Sequence, residues 1–109
     1  MQVDVRRFKS VFQHQQYRFI KELRIPMHNI LDLGAHTGMS TLYMARAFPG
    51  AKVVAVEPQL QSFALLRLNS AQLKNVHLEY GAAWDKAATV KVRWSALVCV
   101  HLFKQCLPL

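Results

Sequence analysis

One acidic residue and two glycines stand at a spacing that could bind a cofactor. Residues 29 to 38 read NILDLGAHTG, so Asp32 precedes Gly34 by two positions and Gly38 follows four positions later. Glycine lets the backbone adopt a positive φ or approach a ligand closely. A helix that begins after such a loop presents free N–H groups and the positive end of its dipole to a carboxylate or phosphate. The stretch therefore predicts a ligand-binding loop between a strand and a helix.

The glycine spacing separates two classes of cofactor. A dinucleotide fingerprint requires glycine at the first, third and sixth positions, and here those positions hold Gly34, His36 and Met39. The spacing therefore disfavours NAD. The remaining pattern, Asp32-x-Gly34-x-x-x-Gly38, resembles motif I of class I methyltransferases that use S-adenosylmethionine. The alternative is a strand-to-helix turn that binds no ligand.

A second acidic residue supports the cofactor interpretation. Residues 52 to 56 read KVVAV, an apolar strand that ends in Glu57, and Glu57 lies 23 positions after Gly34. An acidic residue about 20 positions past the first glycine typically binds ribose hydroxyls at the tip of the second strand. We therefore expect Glu57→Ala to weaken cofactor binding while fold stability barely changes. The alternative for Glu57 is a solvated strand end.

The apolar pattern predicts an α/β fold around these residues. A helix over about 10 to 24 precedes a buried strand that contains Ile30, Leu31 and Leu33. A helix then runs from Gly38 to a Pro49-Gly50 stop, and another runs from Pro58 to near Asn75. The alternating run Val76, Leu78, Tyr80 predicts a third strand with those residues facing inward, and residues 86 to 94 predict a further solvent-edged strand. Right-handed crossovers would make the sheet parallel and Rossmann-like.

The charge balance leaves nucleic acid open as a partner without favouring it. Fourteen Lys and Arg against six Asp and Glu give a net charge of +8. Along the chain the basic residues are dispersed, and the densest group is predicted to be a solvated helix face. That group consists of Arg6, Arg7, Lys9, Arg18, Lys21 and Arg24.

The sequence gives little indication of a disulfide, a metal site or a membrane span. Cys99 and Cys106 have no companion Cys/His pairs at zinc spacing, so they are expected to be reduced thiols, and no metal site is predicted. The apolar run 96–103 is much shorter than the roughly 20 residues of a membrane span. A cytoplasmic chain without a membrane span is the expectation, and the oligomeric state stays open.

Four ordered segments resemble FkbM-type S-adenosylmethionine-dependent methyltransferases over roughly residues 29–92. They are residues 30–38, 54–58, 63–69 and the run from 75 through 81–85 to the strand at 89–90. The resemblance implies a methionine-binding set, a ribose ligand at Glu57, and an adenine contact at Ala82 with its neighbours. The methionine-binding set is Asp32, Gly34, Ala35, His36 and Gly38. His36 departs from the Asn that is usual in the family, and Ala88 departs from a Gly that often turns the following hairpin.

The same resemblance predicts a domain plan and an activity. It predicts an N-terminal helical segment (1–28), a partial S-adenosylmethionine-binding domain (29–94) and an unassigned apolar tail (95–109), with the family's later strands missing. The implied activity is O-methylation of a hydroxyl on a sugar, another small molecule or a glycan, and no catalytic residue is assigned. Two alternatives stay open: a non-catalytic, truncated or partner-binding remnant, and a nucleic-acid methyltransferase.

Overall fold

Strands and helices alternate through the centre of the chain. The computed structural model describes residues 5–13, 17–84, 90–92, 101–103 and 106–108. The helices are α1 (Val5–Phe8), continued by a π-helical segment (Lys9–Gln13), α2 (Arg18–Glu22), α3 (Met39–Ala47) and α4 (Leu60–Ser70). The strands are β1 (Asn29–Leu33), β2 (Lys52–Glu57), β3 (Val76–Tyr80), β4 (Ala82–Trp84), β5 (Val90–Val92), β6 (His101–Phe103) and β7 (Cys106–Pro108). The predicted βαβαβ series is confirmed.

The first three strands form one parallel sheet in the order β1-β2-β3. In its register Leu33 pairs with Val56, and Glu57 pairs with Tyr80. The connections through α3 and α4 both step in the same direction across the sheet. Right-handed crossovers therefore put both helices on one face. The carboxyl ends of all three strands meet at one edge, where α/β sheets commonly bind ligands.

Two apolar clusters hold the helices in place. Ala55 of β2 and Leu66 of α4 have no exposed surface and pack with Ala35 in the loop after β1. In the second cluster, Val11 packs against α3 and so attaches the N-terminal segment to the central fold. Burying a side chain such as Val11 or Leu66 contributes about 1.5 to 3 kcal/mol to the stability of the fold. The loop after β1 is therefore anchored by the core of the sheet.

The prediction that β1 is buried is wrong for two of its residues. Leu31 is 55% exposed and Leu33 is 45% exposed. Side chains alternate across a strand, so these two share the face opposite the helices. β1 is also an edge strand of this sheet. Tyr80, predicted to face inward, is 36% exposed at the end of β3.

The N-terminal helix differs from the prediction of one helix over about 10 to 24. Helical structure begins at Val5, passes into the π-helical segment, and resumes at Arg18, with residues 14–16 outside the described ranges. Phe19 and Leu23, whose spacing of four positions is typical of one helix face, are 58% and 56% exposed. The apolar spacing therefore predicted helical structure here but not the exposure of Phe19 and Leu23.

The helix after β2 is shorter than predicted. It begins at Leu60, where the Gln59 side chain accepts a hydrogen bond from the Ser62 N–H at 3.1 Å, and it ends at Ser70. Asn75 lies beyond it and donates from Nδ2 to the Ala51 carbonyl at 3.0 Å. Asn75 therefore joins the turn before β3 to the turn before β2.

The remaining strands form two short pairs. β4 pairs with β7 in parallel, and β5 pairs with β6 in antiparallel orientation. The strand predicted over 86–94 is present at Val90–Val92, and Ala88 lies outside the described residues. Across the described ranges, no helix has the length and hydropathy required to cross a membrane.

Candidate functional site

The loop between β1 and α3 follows a path that depends on left-handed backbone conformations. Gly34, His36 and Gly38 have φ values of +69°, +53° and +96°. The N–H groups of Gly34 and Ala35 donate to the Val56 carbonyl at 2.9 and 3.0 Å. The start of the loop is thereby fixed to β2, the neighbouring strand.

Helix α4 holds the second half of the loop. A Cβ added at Gly38 would lie 2.8 Å from Leu66 Cδ1, closer than side chains can approach. Asn69 Nδ2 donates to the Thr37 carbonyl at 2.8 Å. Sequence reasoning gave Leu66 and Asn69 no role in the site, because their contacts with the loop are formed only by tertiary packing. Their segment, 63–69, was nevertheless part of the family resemblance.

Two observations show that the loop could accommodate a ligand. A Cβ added at Gly34 would have no neighbouring atom within 4 Å, so the backbone there is open to close approach. Thr37 Oγ1 is buried and has no hydrogen-bond partner in the part of the chain that the structure describes. Buried hydroxyls are rarely left unpaired. An open glycine position and an unsatisfied hydroxyl in the same loop fit a polar ligand better than a closed structural turn.

Glu57 ends β2 and is only 2% exposed. Its Oε2 accepts a hydrogen bond from the His36 N–H at 2.7 Å, and its Oε1 accepts one from the Gln59 N–H at 2.8 Å. The interpretation of Glu57 as a solvated strand end is therefore wrong. Each carboxylate oxygen has a further lone pair, so the group can still accept from ligand hydroxyls. Because the carboxylate also joins the loop to β2, its removal should affect stability as well as binding.

Asp32 connects β1 to the first turn of α3. Its Oδ2 accepts hydrogen bonds from Ser40 Oγ at 2.8 Å and from Thr41 Oγ1 at 2.7 Å. Gly38 is the N-cap residue of α3 and offers no side-chain cap. The negative charge of Asp32 therefore lies beside an uncapped helix terminus. Ser40 and Thr41 were missed by sequence reasoning, although two hydroxyl residues eight and nine positions after an acidic residue are a visible signal.

The predicted adenine contact, Ala82, follows a residue whose backbone is hydrogen-bonded to Glu57. Ala82 is half-buried at the start of β4, and the preceding Gly81 donates its N–H to the Glu57 carbonyl at 3.3 Å. Asp85, the last of its predicted neighbours, lies outside the described residues. The structure therefore brings Ala82 to the same edge as Glu57.

Tyr80 is a further candidate residue of the site, although the sequence pattern predicted that it faces the core. It pairs with Glu57 across the sheet, and its ring lies 5.2 Å from the Phe63 ring. Desolvation by burial raises the pKa of Tyr80 above its ordinary value, so the phenol stays protonated near neutral pH. Its place as the last residue of β3, level with Glu57, is the signal that could have identified it.

Metal-ligating chemistry is not concentrated in this region. Among the described residues, no group of three or more His, Cys, Asp or Glu side chains could hold a metal ion. The polar groups of the candidate site are carboxylates, hydroxyls, backbone N–H groups and the His36 imidazole, whose Nδ1 lies 3.9 Å from Glu57 Oε2.

Comparisons with known proteins define the class of fold. No protein-family model matches the chain, and no curated protein matches it significantly. It is similar to the solved structure of the YcgJ protein from Bacillus subtilis, with 20% identity and a TM-score of 0.52 over 64% of this chain and 30% of that one. It is also similar to precorrin-6y C5,15-methyltransferase from Geobacter metallireducens, with 22% identity and a TM-score of 0.49 over 56% of this chain and 34% of that one.

The described part of the chain therefore has a Rossmann-like α/β fold with a parallel three-stranded sheet. The chain spans about a third of the length of each of these two structures. At this level of identity the likeness shows the fold alone. The site residues have to be argued from their own geometry.

His36 offers a direct test of the loop conformation. Asn tolerates a positive φ, whereas a β-branched residue does not. We expect His36→Asn to leave the free energy of unfolding within about 0.5 kcal/mol of the parent, and His36→Val to lower it by about 1 to 2 kcal/mol. Urea denaturation measures both.

His77→Val is the matched control, because His77 is an exposed histidine within β3, where Val is favoured. Equal stability of the His36→Val and His77→Val variants would contradict the left-handed conformation of the loop.

Proposed function

We propose that this chain binds S-adenosylmethionine as part of an FkbM-type methyltransferase that methylates a hydroxyl of a sugar, another small molecule or a glycan. The observation that carries the proposal is the hydrogen bond between the Glu57 carboxylate and the His36 N–H. It joins the two halves of the sequence pattern, the glycine loop and the strand-end acid, at one edge of the sheet. The family resemblance supports the acceptor class.

The residues at this edge suit different parts of the cofactor. Asp32 is a carboxylate that could accept from an ammonium group, and Gly34 leaves room for the methionine part to approach the backbone. Glu57 could accept from both hydroxyls of a ribose diol, since one carboxylate has several acceptor positions. Ala82 is small enough to leave a purine ring close to the backbone.

The cofactor supplies the reactive methyl group as part of a sulfonium, which is already a good leaving group. The task of the protein is then to hold the acceptor hydroxyl in line with that methyl group. Loss of the hydroxyl proton needs an acceptor, and no residue is assigned that role. The roles proposed for Asp32 and Glu57 are binding roles.

Titration calorimetry with S-adenosylhomocysteine tests cofactor binding. We expect saturable heat with this ligand and none with NAD, because the glycine spacing fails the dinucleotide pattern twice. Circular dichroism on the same sample shows whether the chain is folded. A folded chain that gives no heat at millimolar S-adenosylhomocysteine would overturn the proposal.

Transfer of a labelled methyl group tests the acceptor class. A panel of sugars, glycans, small hydroxyl compounds and oligonucleotides should give product with hydroxyl compounds. Product with the oligonucleotides alone would favour the nucleic-acid alternative. Cofactor binding without product on any acceptor would favour the non-catalytic alternative.

A further inference from the structure

Four basic side chains line a groove between α2 and the second half of α3. The larger part of the groove has a volume of about 500 Å³, and an adjoining part has about 230 Å³. The basic residues are Arg18, Lys21, Arg24 and Arg46. Among the described lining residues, Glu22 is the one carboxylate. The described lining therefore carries more positive than negative charge.

Most of this positive charge is not neutralised by the residues that the structure describes. Arg18 pairs with Glu22 at 3.0 Å, and both side chains are well exposed. Lys21, Arg24 and Arg46 have no carboxylate within ion-pairing distance in the described ranges. Arg18, Lys21 and Arg24 are exposed, as predicted for a solvated helix face. The fold adds Arg46 of α3 to the groove that they line.

Aromatic packing places the groove against α3. Val11 packs against Met39 and Leu42, and Phe12 makes an edge-on contact with Tyr43 at 5.9 Å between ring centroids. Phe12 and Tyr43 are half-buried and also line the groove. The groove therefore offers aromatic surface next to its cationic groups.

The conformation of Arg24 is a further indication that its side chain is used. Arg24 has a φ of +51° just after α2, a left-handed conformation usually adopted by glycine at helix C-termini. An arginine there carries a backbone cost that glycine would avoid. Such strain is found at functional sites more often than elsewhere.

We propose that this groove binds single-stranded nucleic acid, with the basic side chains contacting phosphates and Phe12 and Tyr43 contacting bases. Guanidinium groups bind phosphate oxygens in a fork geometry, and aromatic rings stack with any base. The carboxylates of an acidic peptide would contact the basic side chains, but the peptide would bring no planar base to stack on the aromatic rings. The observations therefore favour nucleic acid over an acidic polypeptide.

The groove is separate from the proposed cofactor site. Arg46 lies seven residues after Met39, which at 1.5 Å per residue places it about 10 Å along α3 from the cofactor loop. On α3 the groove is lined from Tyr43 onward, whereas the cofactor loop ends before Met39. Nucleic-acid binding does not rest on the proposed methyltransferase activity, and either one can fail without the other.

Fluorescence anisotropy with a labelled single-stranded RNA of roughly 12 nucleotides tests the groove in the full chain. The test variant combines Lys21→Gln, Arg24→Gln and Arg46→Gln. We expect at least about tenfold weaker binding. The dependence of log K on log salt should become shallower by about 2 units, since each phosphate contact contributes about 0.7.

A charge-matched variant controls for net charge. It replaces three exposed basic residues outside the groove, as Lys52→Gln, Arg67→Gln and Lys74→Gln. We expect it to bind within about twofold of the parent, because none of these three side chains lines the groove. Equal losses in the two triple variants would overturn the groove as the binding site.

Two further measurements sharpen the test. Arg24→Gly should keep or raise the melting temperature, because it relieves the positive φ, and should still weaken RNA binding. A polyglutamate peptide of matched charge should bind more weakly than RNA at the same salt concentration. Equal binding of the two polyanions would overturn the nucleic-acid assignment in favour of an acidic polypeptide.

Discussion

Gly38→Ala should lower the free energy of unfolding by about 2 to 5 kcal/mol. A non-glycine residue at a left-handed φ costs about 1 to 2 kcal/mol, and Gly38 has a φ of +96°. Forcing a methyl group into a packed core adds about 1 to 3 kcal/mol. Here the new Cβ would lie 2.8 Å from a side-chain atom of Leu66, which is fully buried and cannot move into solvent. For a domain of this size the melting temperature should fall by roughly 10 °C or more.

Two other glycines provide matched controls. Gly34 also has a positive φ, but an added Cβ there meets nothing within 4 Å. Gly34→Ala should therefore cost only about 1 to 2 kcal/mol of stability, while S-adenosylhomocysteine affinity falls at least about tenfold. Gly50→Ala should be neutral or slightly stabilising, because Gly50 has space and no positive φ. A Gly38→Ala variant as stable as Gly50→Ala would contradict the close approach of α4 to the loop.

The outline of the site could be predicted because its signals are local. An apolar run, two glycines four positions apart and an acid at the end of the next apolar run specify a loop and a strand end. The rule of right-handed crossovers then places them at one edge of a parallel sheet. The structure joins these two parts by the hydrogen bond between Glu57 and His36 at 2.7 Å.

Other features could not be predicted because they depend on which surfaces meet. The apolar run in β1 does not reveal that Leu31 and Leu33 face away from the helices. Likewise, the contact between Leu66 and Gly38 requires α4 to cross the loop, and sequence spacing does not encode that crossing. The basic groove arises because Val11 docks the N-terminal segment on α3, next to Arg46. Each of these depends on tertiary packing between elements distant in sequence.

Glu57→Ala should reduce both fold stability and cofactor affinity. The carboxylate accepts the N–H groups of His36 and Gln59 at 2.7 and 2.8 Å while only 2% exposed. A hydrogen bond to a charged group contributes about 1.5 to 3 kcal/mol, so losing two should lower the free energy of unfolding by about 3 kcal/mol or more. Glu79→Ala is the control with the same change of charge, since Glu79 is exposed on β3. It should change stability by less than about 0.5 kcal/mol.

A ligand comparison separates the ribose role of Glu57 from its role in holding the loop. Glu57→Gln keeps the shape of the side chain but turns an NH₂ group towards one of the two backbone donors. If the carboxylate also binds the ribose diol, this variant should lose about tenfold or more in affinity for S-adenosylhomocysteine. Its affinity for an analogue without the two ribose hydroxyls should fall by a smaller factor. The contact between the side chain and the ribose diol is then absent from the complexes of both the parent and the variant. Equal losses of affinity for the two ligands would mean that Glu57 only holds the loop in place. The ribose contact would then have to come from another group at this edge of the sheet. Tyr80, which pairs with Glu57 in the sheet register, is the nearest candidate.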